Sequence, residues 1–241
     1  MTLVHTPGER LFARYAYSPN ELGYCGPAGA AGLAAVARGE EIEFDVPDVA
    51  SHFSGAWVYQ VIIGRLLGLD PLDETVVRGY WTGNTATAGI DRAAFWDRLI
   101  AVIGPRAGAY WKHLGPSLAP EAAPSHAFHV LGVYPWSRLL DMGRPEPIGV
   151  LGDCCVRPAT VTAVGPSLTL ATAALVGDGK GVRWEETAFD APALFDRDLA
   201  VGDRVAVHWG SVCDRLTEGE FTVLSEGLAD QTDRLNARLA G

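Results

Sequence analysis

The chain has no Cys-x-x-C pair, no block of consecutive Lys or Arg, and no uninterrupted apolar run of membrane-spanning length. Each absence removes a class of function. A spanning helix needs about 20 consecutive apolar residues, and the most apolar stretch, residues 56–69, is broken by Gln60 and Arg65. No membrane span is therefore expected. The first ten residues lack a basic start followed by an apolar block, so no secretory signal is expected either, and the expected location is cytoplasmic. In that reducing compartment the four cysteines, Cys25, Cys154, Cys155 and Cys213, are expected as thiols. Without a Cys-x-x-C pair a zinc knuckle is not expected. A net charge of −10 with no basic run argues against a phosphate-backbone binder, so no nucleic-acid partner is expected. Neither the P-loop nor the dinucleotide-binding glycine signature occurs.

What is present is 241 residues, enough for one large or two modest domains, with 48% hydrophobic residues to build a core. Glycine and proline, 28 and 15 residues, punctuate the chain into short elements. Residues 8–16 have helical spacing, with Leu11, Phe12 and Tyr15 on one face. The segment 18–27 is turn chemistry, and Pro27 suits the first position of a helix rich in alanine that ends at Gly39. A helix is expected from Pro47 through Trp57 and Ile62 to Gly68, and another from Asp70 and Pro71 to about Tyr80. Asp91 caps a third over 92–103. One helical turn is expected within 107–114. Residues before Pro135 read as extended or helical, and those after it as helical. Gly143-Arg-Pro-Glu-Pro147 reads as a linker. Beyond it the pattern turns to strands: 156–164 and 168–175 joined by a tight turn, a short strand at 182–184, and 204–209 after Gly202-Asp203. Thr217 and Glu220 have capping-box spacing and open a terminal helix, with Leu224, Leu228, Leu235 and Leu239 as buried positions. The expected fold class is α+β: a mostly α-helical domain over 1–147, then a small β-barrel with a terminal helix over 148–241.

Two groups of residues carry possible chemistry. In the strand 204–209, side chains alternate: Val205, Val207 and Trp209 share a core face, and Arg204, Ala206 and His208 share the other. Cys154, expected at a strand entrance, supplies a thiol to pair with that imidazole, a combination that suits iron(II) or zinc. Cys155 is the adjacent candidate. The plain alternative is that both cysteines are small core hydrophobes and that His208 makes a structural hydrogen bond. In the helical part, Cys25 precedes Gly26 and Pro27 at an expected helix start, where a thiolate is favoured. With His126 or His129 as base it makes a candidate nucleophile of a hydrolase or transferase. The alternative is a packed turn. His126 and His129, spaced i, i+3, share a face on a helix and point apart on a strand.

Cys154-Cys-Val-Arg-Pro158-Ala-Thr-Val161, followed by Val201-Gly-Asp-Arg-Val-Ala-Val-His-Trp-Gly210 and the acidic segment Asp214–Glu220, resembles the HypC/HupF family of nickel-iron hydrogenase maturation chaperones. The resemblance spans about residues 150–240. It implies an OB-like barrel, an iron fragment with cyanide and carbonyl ligands as cargo, and docking on the hydrogenase large subunit or on maturation proteins. It matches Cys154 to the family's essential cysteine and His208 to its histidine. The chain departs from the family in keeping Cys154 far from the N-terminus, and in having Ala159 where a glycine usually follows the proline. Residues 12–27 and 126–136 resemble an uncharacterised bacterial family. The function expected is an accessory chaperone of hydrogenase maturation that is not itself an enzyme. The alternatives are the Cys25 hydrolase or transferase, and a scaffold that keeps only the barrel.

Overall fold

A computed structural model describes residues 4–28, 30–106, 114–142, 144–178, 180–196 and 198–240. Its first half is helical: α1 (Pro7–Glu21), α2 (Ala30–Ala37), α3 (Val46–Ser51), α4 (Ala56–Leu67), α5 (Glu74–Trp81), α6 (Thr85–Ala88) and α7 (Arg92–Ile103). The capping signals act locally. Thr6 and Glu9 form a reciprocal capping box on α1, Asp91 accepts from the Ala94 amide to start α7, and Asp73 starts α5. Three expectations shift. Pro27 lies in a turn, and α2 begins at Ala30. Asp70 accepts from the Leu72 amide in the turn before α5, rather than capping it. The helix expected from Pro47 to Gly68 is split at residues 52–55, and Gly55 makes room there for a neighbour: a Cβ would lie 2.5 Å from the His129 ring. The turn expected within 107–114 falls almost wholly outside the described residues.

A short helix α8 (His126–Phe128), capped by Ser125, runs into a wider π turn (His129–Val133). The helical alternative for this segment is the one the structure adopts. Helix α9 (Ser137–Asp141) follows, then α10 (Ile148–Cys154), which the sequence did not announce.

Five antiparallel strands come next: β1 (Arg157–Val164), β2 (Leu168–Gly177), β3 (Val182–Ala191), β4 (Arg204–His208) and β5 (Ser211–Leu216). Their order is β3-β2-β1-β4-β5, a meander whose fourth strand returns beside the first, as in a Greek key. The α+β class holds, but the sheet is open and not closed into a barrel, since the ladder ends at β3 on one side and β5 on the other. Strand β5 occupies the segment expected as an acidic turn. Its Asp214 is not at a turn tip but pairs with Arg78 of α5 at 2.6 Å. Helix α11 (Glu218–Ala240) closes the chain, started by the Thr217–Glu220 capping box.

The largest apolar cluster joins α1, α4, α5 and α7 to Val156, Ala206, Cys213, Leu216 and Leu224. One core therefore runs from the helical half onto the sheet. The other face of β4, with Val205 and Val207, packs in a separate cluster among the strands. The alternation thus separates Val205 and Val207 from Ala206 and His208 as expected, with both faces buried, but Trp209, expected on the core face with Val205 and Val207, lies in the hairpin turn and lines the cavity beside His208.

Candidate metal centre

His126, Cys154 and His208 come together where α8, the end of α10 and the end of β4 meet under α1 and α5. One ligand atom from each lies within 4.8 Å of the others. His126 is 4% exposed and His208 1%. They border a cavity of about 50 Å³ that is also lined by Cys25, His129 and Trp209. The two residue groups singled out in sequence, Cys154 with His208 and Cys25 with His126 and His129, therefore share one cavity.

The partners of the two imidazoles fix their tautomers, because a carbonyl can only accept. His208 Nδ1 donates to the Tyr15 carbonyl at 2.8 Å, which leaves Nε2 as the lone-pair nitrogen, buried and without a hydrogen bond of normal geometry, although the Cys154 carbonyl also neighbours the ring. His126 Nε2 donates to the Cys154 carbonyl at 2.8 Å, and its Nδ1 accepts from the Tyr80 hydroxyl at 2.9 Å. Each ring gives one N–H to the main chain, which leaves the second nitrogen of His208 unpaired and that of His126 on the Tyr80 hydroxyl. Metal-ligating histidines are oriented in this way. The unpartnered Nε2 is an observation that favours a ligand, since a buried polar atom left unsatisfied costs about 1–3 kcal/mol.

The Tyr15 carbonyl is available because of Pro19. In an α-helix the carbonyl of residue 15 would accept from the amide of residue 19, but residue 19 is proline, inside α1, and has no N–H. The Pro19 carbonyl in turn accepts from the amides of Tyr24 and Cys25, at 2.8 and 3.3 Å. Asn20 donates to the Cys25 carbonyl at 2.9 Å. Gly26 follows at φ 80, where any Cβ would run into the Phe53 ring. The loop backbone that carries Cys25 is therefore held at several points.

Cys154 ends α10 rather than opening a strand. The Asp153 carbonyl accepts from the Trp209 amide, which clips this helix end to the β4–β5 hairpin. Trp209 and Gly210 both have positive φ, 50 and 73, the type I′ geometry of a two-residue hairpin. A tryptophan at positive φ is strained. Here its ring stacks on Tyr24 with centroids 4.1 Å apart, and it lines the cavity beside Cys154, whose thiol pKa it helps to lower against the larger effect of burial. Cys155 points elsewhere. It is fully buried in a cluster with Leu131, Leu151, Leu175 and Leu235, so this second metal candidate sits as a small hydrophobe away from the cavity. Cys213 is likewise buried, at the bulge in β5.

The enclosure keeps the site neutral. Burial pushes His208 down to about 4 and His129 down to about 4. Burial, then the neighbouring His208 and His129 rings, hold His126 well below its usual value. Burial, then the Cys25 thiol, raise Cys154 to about 12. Burial also raises Cys25, against a lowering hydrogen bond from the Gly26 backbone. Neutral imidazoles are the ligand-competent form, and a bound cation would take the thiol proton's place. Two imidazoles and a thiolate fit a late first-row divalent metal. For a Cys25 nucleophile, burial holds the thiol protonated and both nitrogens of His126 are engaged, while His129 lines the same cavity with a buried Nδ1 that has no partner.

The convergence of Cys25 with residues 126–208 could not be read from spacing. The signal that was available is Pro19, a proline in the last turn of a helix that frees a carbonyl. The other missed residues are Tyr80 and Trp81, whose ring lies 4.5 Å from His126 and 5.3 Å from His208, centroid to centroid.

No curated protein and no solved structure matches the chain. One family model does, in keeping with the resemblance of residues 12–27 and 126–136 to an uncharacterised family. It covers residues 4–241, and the chain belongs to that family, a family of unknown function (DUF6390).

Proposed function

We propose that the protein is a metal-handling accessory factor of nickel-iron hydrogenase maturation, with an iron fragment as its cargo on Cys154, His208 and His126. One observation carries the reading. The thiol and the imidazole matched by the HypC/HupF-like motifs lie within 4.8 Å of each other, together with a third donor from the helical half. The thiol is the soft ligand and loses its proton as the metal binds. His208 Nε2 needs no rearrangement to bind. His126 binds by giving up one of its two hydrogen bonds, to the Tyr80 hydroxyl at Nδ1 or to the Cys154 carbonyl at Nε2. Trp81, Tyr80 and Phe53 line the cavity and keep bulk water from the cargo. The partner of this reading is the hydrogenase large subunit or another maturation protein.

The test is anaerobic co-purification from a hydrogenase-producing host, followed by metal analysis and infrared spectroscopy. Iron at about one per chain with cyanide and carbonyl bands, lost in Cys154→Ala, is the expected result. Absence of both the bands and any maturation partner overturns it.

A further inference from the structure

A second cavity, of about 380 Å³, adjoins the first and shares Tyr24, Cys25, Gly55, His129 and Tyr134 with it. Cys25 therefore stands in the wall between the outer space and the inner donors. We propose that Cys25 is a second thiolate ligand of the centre, so that the full set for a divalent transition metal is Cys25, Cys154, His126 and His208. This rests on the metal-site reading above and adds a ligand from outside the HypC/HupF-like segment.

Three observations support it. His208 Nε2 is buried, unpartnered and faces the cavity that Cys25 lines. For a divalent ion held without diatomic ligands, three protein donors leave a four-coordinate metal one short, and two thiolates with two imidazoles complete a tetrahedral set. The loop geometry also favours Cys25 over the other candidate, His129. The His129 ring is wedged between Gly55, Tyr59 and Tyr134. The Cys25 side chain has a single torsion to turn, on a backbone pinned by Pro19 and Asn20. Ligation is a proton-for-metal exchange: each sulfur gives one proton to solvent as its bond to the metal forms.

The experiment uses the full chain, metal-free, titrated anaerobically with cobalt(II). The readout is the near-ultraviolet thiolate-to-cobalt band per bound cobalt. In parallel, alkylation of Cys25 in the wild type is followed by mass spectrometry with and without zinc(II). The expected result is a band that falls about twofold in Cys25→Ser, with zinc slowing alkylation of Cys25. Cys25 is partly exposed on a loop, and near-ultraviolet circular dichroism of the metal-free variant checks its packing. A band of full intensity in Cys25→Ser that vanishes in Cys154→Ser, with Cys25 alkylated equally fast with zinc, overturns the role of Cys25 and leaves the three-donor site standing. The same band loss in His129→Gln but not in Cys25→Ser also overturns it. No thiolate band in the wild type overturns the metal-site reading and this proposal together.

Discussion

His208 is buried as a neutral ring, and this has a thermodynamic consequence. Its value falls from 6.5 to about 4 on folding. Between those limits the unfolded chain binds the proton and the folded one does not, so stability rises with pH. The contribution is complete above pH 6.5 and is lost as pH falls through 4. It is worth roughly 3 kcal/mol. His126 shifts in the same direction. Urea unfolding of the metal-free protein is expected to show a steep loss of stability from pH 6.5 to 4 and a shallower one in His208→Gln; equal slopes would count against the buried neutral ring. Metal uptake has the complementary signature. With Cys154 raised to about 12, its proton is present at neutral pH and must leave. Zinc binding in weak buffer at pH 7 is expected to release about one proton from the three-donor site, and about two if Cys25 joins it. Trp209 is the strained residue of the set. Trp209→Gly relieves the positive φ, worth about 1 kcal/mol, but removes both the stacking on Tyr24 and the ring that walls the cavity beside Cys154. Cys154 is expected to become accessible to alkylation with little change in melting temperature.

Among the elements, those with local signals were legible and those made by packing were not. Helix α7 runs from its Asp91 cap to Gly104 as its sequence announces. Strand β4 has the faces that alternation assigns up to His208, where the turn takes Trp209 off the core face. Helix α10 was hidden because seven residues between Pro147 and a strand offer less than two turns of periodicity. Its role is to deliver Cys154, and Gly152 allows it to lie against β2, where a Cβ would touch Leu175 at 3.0 Å. Strand β5 was hidden because Asp214 and Arg215 look like solvent-facing turn residues. They are paired instead, Asp214 with Arg78 and Arg215 with Asp203. The open sheet was read as a barrel because short strands with turn signals look alike in both. Helix α8 is only one turn, so its Ser125 cap matters more than usual. Ser125→Ala is expected to cost about 1 kcal/mol and to weaken zinc binding through His126. Thermal melting and a zinc titration check the two effects separately.

The whole molecule builds its candidate centre from both halves of the chain. His126 comes from the helical half and Cys154 and His208 from the second, while the carbonyl that orients His208 is 193 residues away in sequence. The same core cluster crosses residue 147. Residues 148–241 alone would therefore keep the HypC/HupF-like motifs and lose His126, Cys25 and the Tyr15 acceptor. Their zinc affinity is expected to fall by on the order of 100-fold or more by isothermal titration. No described helix is long and apolar enough to cross a membrane. Pro19 gives this assembly a common hinge pin. Its missing N–H releases the acceptor for His208, and its carbonyl anchors the amides of Tyr24 and Cys25. One residue thus bears on both donors, by an absent hydrogen bond on one side and an acceptor on the other. In Pro19→Ala a new amide competes for the Tyr15 carbonyl. The metal-free protein is then expected to gain stability, by at most about 3 kcal/mol, and to lose zinc affinity as His208 gives up its acceptor: the proline trades rigidity of one helix for the orientation of an imidazole.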